Sequence, residues 1–237
     1  MTTESTLAPT HDAPAATPPV LDIRAAGVST RRASVYGPLD ARISQPITLV
    51  LGDRGSGRTS LLLSVGGRMR LSKGSIRTLG YDVTKNARRV RNFTALAGFD
   101  AIDRPDGAAR IAEVIRERQT WLAPWYRRVP APTPRIVHDL LAAVYGDVPV
   151  PTSGSLVRDL TEGQELLLRV ALALIEEPRL LLVDDLDDVK NPAERAKVAA
   201  RLQAIALSGI AVVVGSADPR DAAFFDADLV DTVSLSR

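Results

Sequence analysis

The sequence predicts an α/β fold, a mostly parallel core sheet with a helical block inserted in its middle. Three observations carry this. Pro46-Ile47-Thr48-Leu49-Val50-Leu51 is an apolar, partly β-branched run leading into a glycine-rich loop and then a helical stretch, Ser60 to Val65. Strand character returns at Leu180-Leu181-Leu182-Val183 and at Ile210-Ala211-Val212-Val213-Val214. Between them, from about Ala108 to Leu174, the pattern is mainly helical. Continuous apolar runs bounded by turns are the mark of strands covered on both faces.

Taken in order, residues 1–19 are rich in Thr, Ala and Pro and hold no Lys or Arg, so they read as a disordered tail and not a signal peptide. Val20 to Arg32 and Ser34 to Ile43 read as strands, with a turn at Gly37-Pro38. The helix after the glycine-rich loop extends to about Arg68. Lys73 to Tyr81 reads as turn, strand and turn, and Phe93 to Phe99 as a buried strand. Pro124, the Pro-rich stretch Val129 to Pro134 and a break at Val148 to Ser155 interrupt the helical block. Residues 20–237 are thus expected to form one domain.

Composition narrows the function. The chain of 237 residues is long enough for a full core. Its net charge of +2 is spread along the sequence, which excludes an electrostatic nucleic-acid footprint. It has no cysteine and two histidines, His11 and His138, so thiolate and histidine metal chemistry is not expected. No apolar stretch approaches the roughly 20 residues needed to span a bilayer. The expected location is the cytoplasm, with any membrane association coming through a partner.

Gly52-Asp53-Arg54-Gly55-Ser56-Gly57-Arg58-Thr59-Ser60 is a phosphate-cradling loop, the pattern G-x-x-x-x-G-K-[ST] with Arg58 in place of Lys. Its glycines let backbone N–H groups turn inward, and the following helix N-terminus adds partial positive charge. Arg58 keeps the charge but replaces a compact ammonium with a planar fork. The apolar strand Leu180 to Val183 ends in Asp184 and Asp185. Asp184, with Thr59, is placed to hold Mg²⁺, and Asp185 to activate a water. Upstream lies Leu160-Thr161-Glu162-Gly163-Gln164, which alone could be no more than a helix N-cap.

The order and spacing of these elements resemble the ATP-binding-cassette (ABC) ATPases, with Leu160 to Gln164 in the place of the L-S-G-G-Q signature. A looser resemblance is to actinobacterial cassettes with a G-R-T-S-L-L-L loop, associated with membrane proteins of the phage-infection-protein type. The family resemblance implies a P-loop NTPase (RecA-like) core with an N-terminal antiparallel β subdomain and a helical subdomain at about 104–176. It implies ATP and Mg²⁺ as ligands, and a homodimer or a pairing with another ABC cassette. In that dimer Thr161, Glu162, Gly163 and Gln164 would close over ATP held by the partner's phosphate loop. It further implies an integral membrane permease as partner and a place at the inner face of the cell membrane.

Carried across residue by residue, the resemblance shows departures. Asp100 stands for the loop Gln, Asp185 for the glutamate base and Ala217 for the switch His. Asn191, ahead of Pro192, stands for the D-loop Asp. The adenine-stacking aromatic is missing from Ser29, Thr30, Arg31 and Arg32, and Tyr36 is too close to the loop, so an Arg plane would stack instead. The expected activity is therefore slow ATP hydrolysis driving or gating a permease. The alternative is a non-hydrolysing regulatory or scaffold cassette. Trp121, Trp125 and Tyr126 beside Arg127 and Arg128 read either as an interface or as the helical block's own core, and Asp187 and Asp188 as a solvated loop.

Overall fold

The structure, a computed structural model, describes residues 19–31 and 33–236. The predicted tail falls almost wholly outside these, as does Arg32. Two sheets form the scaffold. β1 (Leu21–Ser29), β2 (Ser34–Ile43), β4 (Lys73–Thr78) and β5 (Tyr81–Asp82) make an antiparallel sheet in the order β2-β1-β4-β5. β3 (Ile47–Leu51), β6 (Thr94–Ala97), β7 (Leu180–Val183), β8 (Ala211–Ser216) and β9 (Val230–Ser234) make a parallel sheet in the order β6-β7-β8-β3-β9. β3 thus lies between the two C-terminal strands, with Ile47 beside both Val212 and Val230.

Both faces of the parallel sheet are covered, which explains why its strands read as unbroken apolar runs. Alternate side chains point opposite ways. Ile47, Leu49, Leu181 and Val183 pack into a core shared with the helices. Val50, Leu180 and Leu182 pack into a second core with the antiparallel sheet and α1 (Arg58–Val65). The helices beneath the first face are α4 (Ile111–Leu122), α5 (Pro134–Tyr145), α6 (Glu162–Leu174) and α7 (Pro192–Leu207).

Three boundaries differ from expectation. α1 stops at Val65 because Gly66 and Gly67 follow, the latter at φ +65, so the helix does not reach Arg68. Phe93 ends a short helix, α2 (Ala87–Phe93), that buries Val90 and Phe93 three residues apart, and the strand begins only at Thr94. At the far end of that strand, Phe99 leads into another short helix, α3 (Asp100–Asp103).

Candidate functional site

β3 delivers the chain to Gly52 at the C-terminal edge of the parallel sheet, and α1 begins six residues later. The turn between them needs its glycines. A Cβ on Gly52 would lie 2.4 Å from the Ser56 hydroxyl, and one on Gly57, at φ +91, would lie 2.5 Å from the Val35 carbonyl of β2. Asp53 accepts a bond from the Ser56 amide at 3.0 Å, Arg54 pairs with Asp188 at 3.0 Å, and Ser60 accepts from Ser64 within α1. The Ser56 hydroxyl is buried without a hydrogen-bond partner. An orphaned donor inside a glycine turn at a helix N-terminus fits a phosphate group.

Arg58 does not project from this loop. Its side chain is only 6% exposed and folds beneath the turn, donating to the Gly52 carbonyl and to Asp185 Oδ1 at 2.7 Å, with Asp187 Oδ1 3.5 Å away. The fork of a guanidinium makes this possible, since one arm holds the loop and the other the acids.

Asp184 directly follows β7 and is 1% exposed. Glycines make room for it on two sides. A Cβ on Gly98 would strike its carbonyl oxygen at 2.4 Å, and one on Gly215 would lie 2.8 Å from Oδ1. Burial pushes the Asp184 carboxyl up to about 6. A hydrogen bond from Thr59 opposes the rise, and the neighbouring Asp185 charge adds to it. Thr59 and Asp184, the pair predicted from sequence, are therefore brought together. Asp185 adopts a left-handed conformation, φ 49, in the turn after the strand. A buried carboxylate near a hydroxyl, beside a second acid, is a donor set of the hard-oxygen kind that Mg²⁺ takes.

Asp187 corrects the sequence reading. Asp188 is exposed, but Asp187 is largely buried, where it accepts from the Ala217 amide at 2.9 Å and faces Arg58. A backbone bond thus stands at the position predicted to lack a histidine. Nothing in the run Asp184 to Asp188 distinguishes the inward acid from the outward one, because the intervening turn is not helical or extended throughout.

Asp100 begins α3. Its carboxylate is shared by Arg104 and the buried Arg169 of α6, and Arg169 also grips Asp103 through both oxygens. Asp103 in turn accepts the Gly98 amide at 3.0 Å. Arg169 and Asp103 went unread in the sequence, where each looks like an ordinary helix-surface charge. Asp100, Glu162, Asp184 and Asp185 line a single cavity of about 250 Å³ that no residue of 52–60 borders.

Thr161 and Gln164 form a reciprocal capping box at the start of α6. The Thr161 side chain accepts from the Gln164 amide at 3.2 Å, and Gln164 accepts from the Thr161 amide at 3.1 Å. Glu162 accepts from the Lys190 amide at 2.6 Å, and the Thr161 hydroxyl donates to Glu194. Gly163 is needed there, since a Cβ would lie 2.6 Å from Glu194. The N-cap reading of this stretch therefore holds, with Thr161 and Glu162 exposed at the helix end. Among the described residues no hydrogen bond joins 160–164 to the phosphate loop.

The remaining candidates divide. Tyr36 is buried, so it cannot stack on a base, while Ser29, Thr30 and Arg31 are exposed. Trp121, Trp125 and Tyr126 are 68%, 96% and 75% exposed, which removes the reading that they fill a core.

Residues 44–187 match the sequence model of the ABC transporter family. A Streptomyces coelicolor protein named as an ABC transporter ATP-binding protein is 26% identical over 211 residues, covering 86% of this chain but 34% of its own length. The chain thus spans about a third of that relative. Among solved structures, MJ1267, an ATP-binding cassette of an ABC transporter in its ADP conformation, superposes with a TM-score of 0.72 at 12% identity, over 92% of this chain and 87% of that one. CbiO1 of Clostridium perfringens, part of the ABC transporter complex cbiONQ, gives 0.65 at 14% identity over 91% and 84%. MJ0796, a bacterial ABC transporter cassette in dimeric form, gives 0.66 at 13% over 90% and 94%. With residues 44–187 matched to the family model, a glycine turn at a helix N-terminus, a buried acid after the strand and a capped helix in the signature position, this chain belongs to the ABC transporter family as an ATP-binding cassette.

Proposed function

We propose that residues 20–237 form one nucleotide-binding domain, with a helical subdomain at about 104–176, that drives or gates a separate membrane permease through ATP-dependent dimerisation and slow hydrolysis. The observation that carries this reading is the Ser56 hydroxyl, buried without a hydrogen-bond partner inside the glycine turn at the N-terminus of α1. ATP with Mg²⁺ would supply the phosphoanhydride bond and the charge neutralisation for its cleavage. The backbone amides of 52–60 and the Ser56 hydroxyl would hold the phosphates. Thr59 and Asp184 would hold the metal ion. Asp185 would take the proton of an attacking water once released from Arg58. Thr161 to Gln164 would complete the site of a second cassette, a role supported by their making no hydrogen bond to this chain's own loop among the described residues. A neighbour of dimeric structure and one that is part of a transporter complex support a pairing and a permease partner.

A second reading is favoured by one contact, the ion pair between Arg58 and Asp185. While it persists, the candidate base is neutralised and the loop's cation is turned from the phosphates, as suits a cassette that binds nucleotide without turning it over. Steady-state ATPase assays on the wild type and Asp185→Asn, with ATP binding measured on both, separate the two. Turnover lost in Asp185→Asn supports the motor, and tight binding without turnover in either supports the clamp. Absence of binding in both would overturn the nucleotide reading.

A further inference from the structure

Asp184 is held through its backbone as well as through its carboxyl. Its amide donates to the Ala97 carbonyl at 3.0 Å, which extends the pairing of β6 and β7 beyond Val183. Gly98, at φ +86, comes so close that a Cβ there would lie 2.4 Å from the Asp184 carbonyl oxygen and 3.1 Å from its nitrogen. Atoms packed at these separations leave no slack, so a shift of Gly98 is a shift of Asp184.

Two side chains set the place of Gly98. Asp103 Oδ2 accepts the Gly98 amide at 3.0 Å and Arg169 Nε at 3.1 Å, while Asp103 Oδ1 accepts Arg169 Nη2 at 2.5 Å. The remaining arm of the fork, Arg169 Nη1, donates to Asp100 Oδ1 at 2.8 Å. Both partners of the main pair are turned inward, Arg169 at 7% exposure and Asp103 at 14%. A charge-assisted fork of this kind fixes direction as well as distance. A pair that only stapled α6 to α3 would have no use for the Gly98 amide.

We infer that Arg169 and Asp103 are positioning residues for the metal ion of the nucleotide site. Arg169 orients Asp103, Asp103 fixes Gly98, and Gly98 sets where the Asp184 carboxylate stands. This rests on the reading that Thr59 and Asp184 hold Mg²⁺, and neither Arg169 nor Asp103 touches the ion. Mg²⁺ demands near-ideal octahedral placement of its oxygens, so a ligand displaced by a fraction of an ångström binds it poorly. Asp100 belongs to the same support. It borders the cavity shared with Asp184 and Asp185, but its two oxygens are engaged by Arg104 and Arg169.

Binding of a fluorescent ATP analogue is measured in EDTA and then across a Mg²⁺ titration. Arg169→Lys keeps the charge and loses the fork, whereas Asp103→Asn keeps the shape and loses the charge. Each is expected to raise the Mg²⁺ concentration at half effect about tenfold, with binding in EDTA unchanged. Glu176→Gln, which breaks the ion pair with Arg118 just after α6, should move neither quantity. Hydrogen exchange without ligand is the second readout. The Gly98 and Asp184 amides should exchange faster in Arg169→Lys and Asp103→Asn, and at the wild-type rate in Glu176→Gln. A Mg²⁺ requirement unchanged in both variants, or weakened only in step with binding in EDTA, would overturn the inference and leave the pair a staple between two helices. Unchanged exchange at both amides would overturn it as well. Wild-type protein that does not respond to Mg²⁺ would sink the metal reading and the inference together, whereas a wild-type response with unaltered variants sinks the inference alone.

Discussion

Arg58 differs from a lysine in what it can hold at once. An ammonium is a compact point charge, whereas the planar guanidinium reaches two ways at once, tying the Gly52 carbonyl to Asp185 and facing Asp187. Nucleotide must therefore compete with two carboxylates for this cation. Asp187→Asn is expected to tighten nucleotide binding about fivefold, equivalent to roughly 1 kcal/mol of lost competition. Asp188→Asn removes the same charge from the same turn, but its partners are Arg54 and Lys190, so it should have little effect. Equal tightening in both, measured with a fluorescent ATP analogue, would mean general charge reduction and no specific latch. Asp184 offers a pH test. Its folded pKa of about 6 lies above the ordinary 3.8, so the folded state holds the extra proton between about pH 4 and 6, and stability falls as pH rises through that window. Asp184→Asn should raise the stability of the ligand-free protein by roughly 1–3 kcal/mol at pH 8 and add nothing at pH 4. Urea melts at the two pH values that show the same change would rule this out.

At the level of elements, the contact between α6 and α3 links the sheet's edge to the helical block. Arg169 is buried against Asp103, and Asp103 caps the Gly98 amide beside the Asp184 carbonyl. Truncation would leave a buried carboxylate unpaired. Arg169→Ala should therefore cost about 3 kcal/mol, and Asp103→Ala a similar amount. The double variant should lose much less than the sum, as a denaturant double-mutant cycle would show. Such elements were unevenly legible in the sequence. The strands of the parallel sheet could be read because both faces are apolar, and α6 because Thr161 and Gln164 are a capping box. The start of β6 was placed one residue early, at Phe93, since Val90 and Phe93 at helical spacing run directly into the strand. Arg169, Asp103 and Asp187 could not be found, because a charge that turns inward has the same letter as one that turns out. Arg58 was visible as an oddity, but its acidic partners lie more than a hundred residues away, and only folding brings them together.

For the whole molecule, no hydrogen bond among the described residues joins the capped start of α6 to the phosphate loop. If each completes the other's site, Asp185→Asn protein with Mg²⁺ and ATP should elute as a dimer, and the same protein without nucleotide as a monomer. A monomer by light scattering at saturating ATP would count against a symmetric sandwich and favour a different cassette as partner. The overall architecture was predictable from the order of motifs, whereas the place of β9 beside β3 was not, since Val230 to Ser234 alternates weakly and ends in polar residues. That same strand order has a consequence for how the protein comes into being. Ile47 is flanked by Val212 on one side and Val230 on the other, so the strand that bears the glycine turn is synthesised early and waits for both neighbours until almost the entire described chain has left the ribosome. Pairings this distant close late, while β1, β2 and β4 can zip up behind it almost at once. A nascent cassette therefore passes through a stage with its antiparallel sheet formed and its glycine turn exposed and unsupported, a stage suited to a chaperone's grip and unfit for nucleotide.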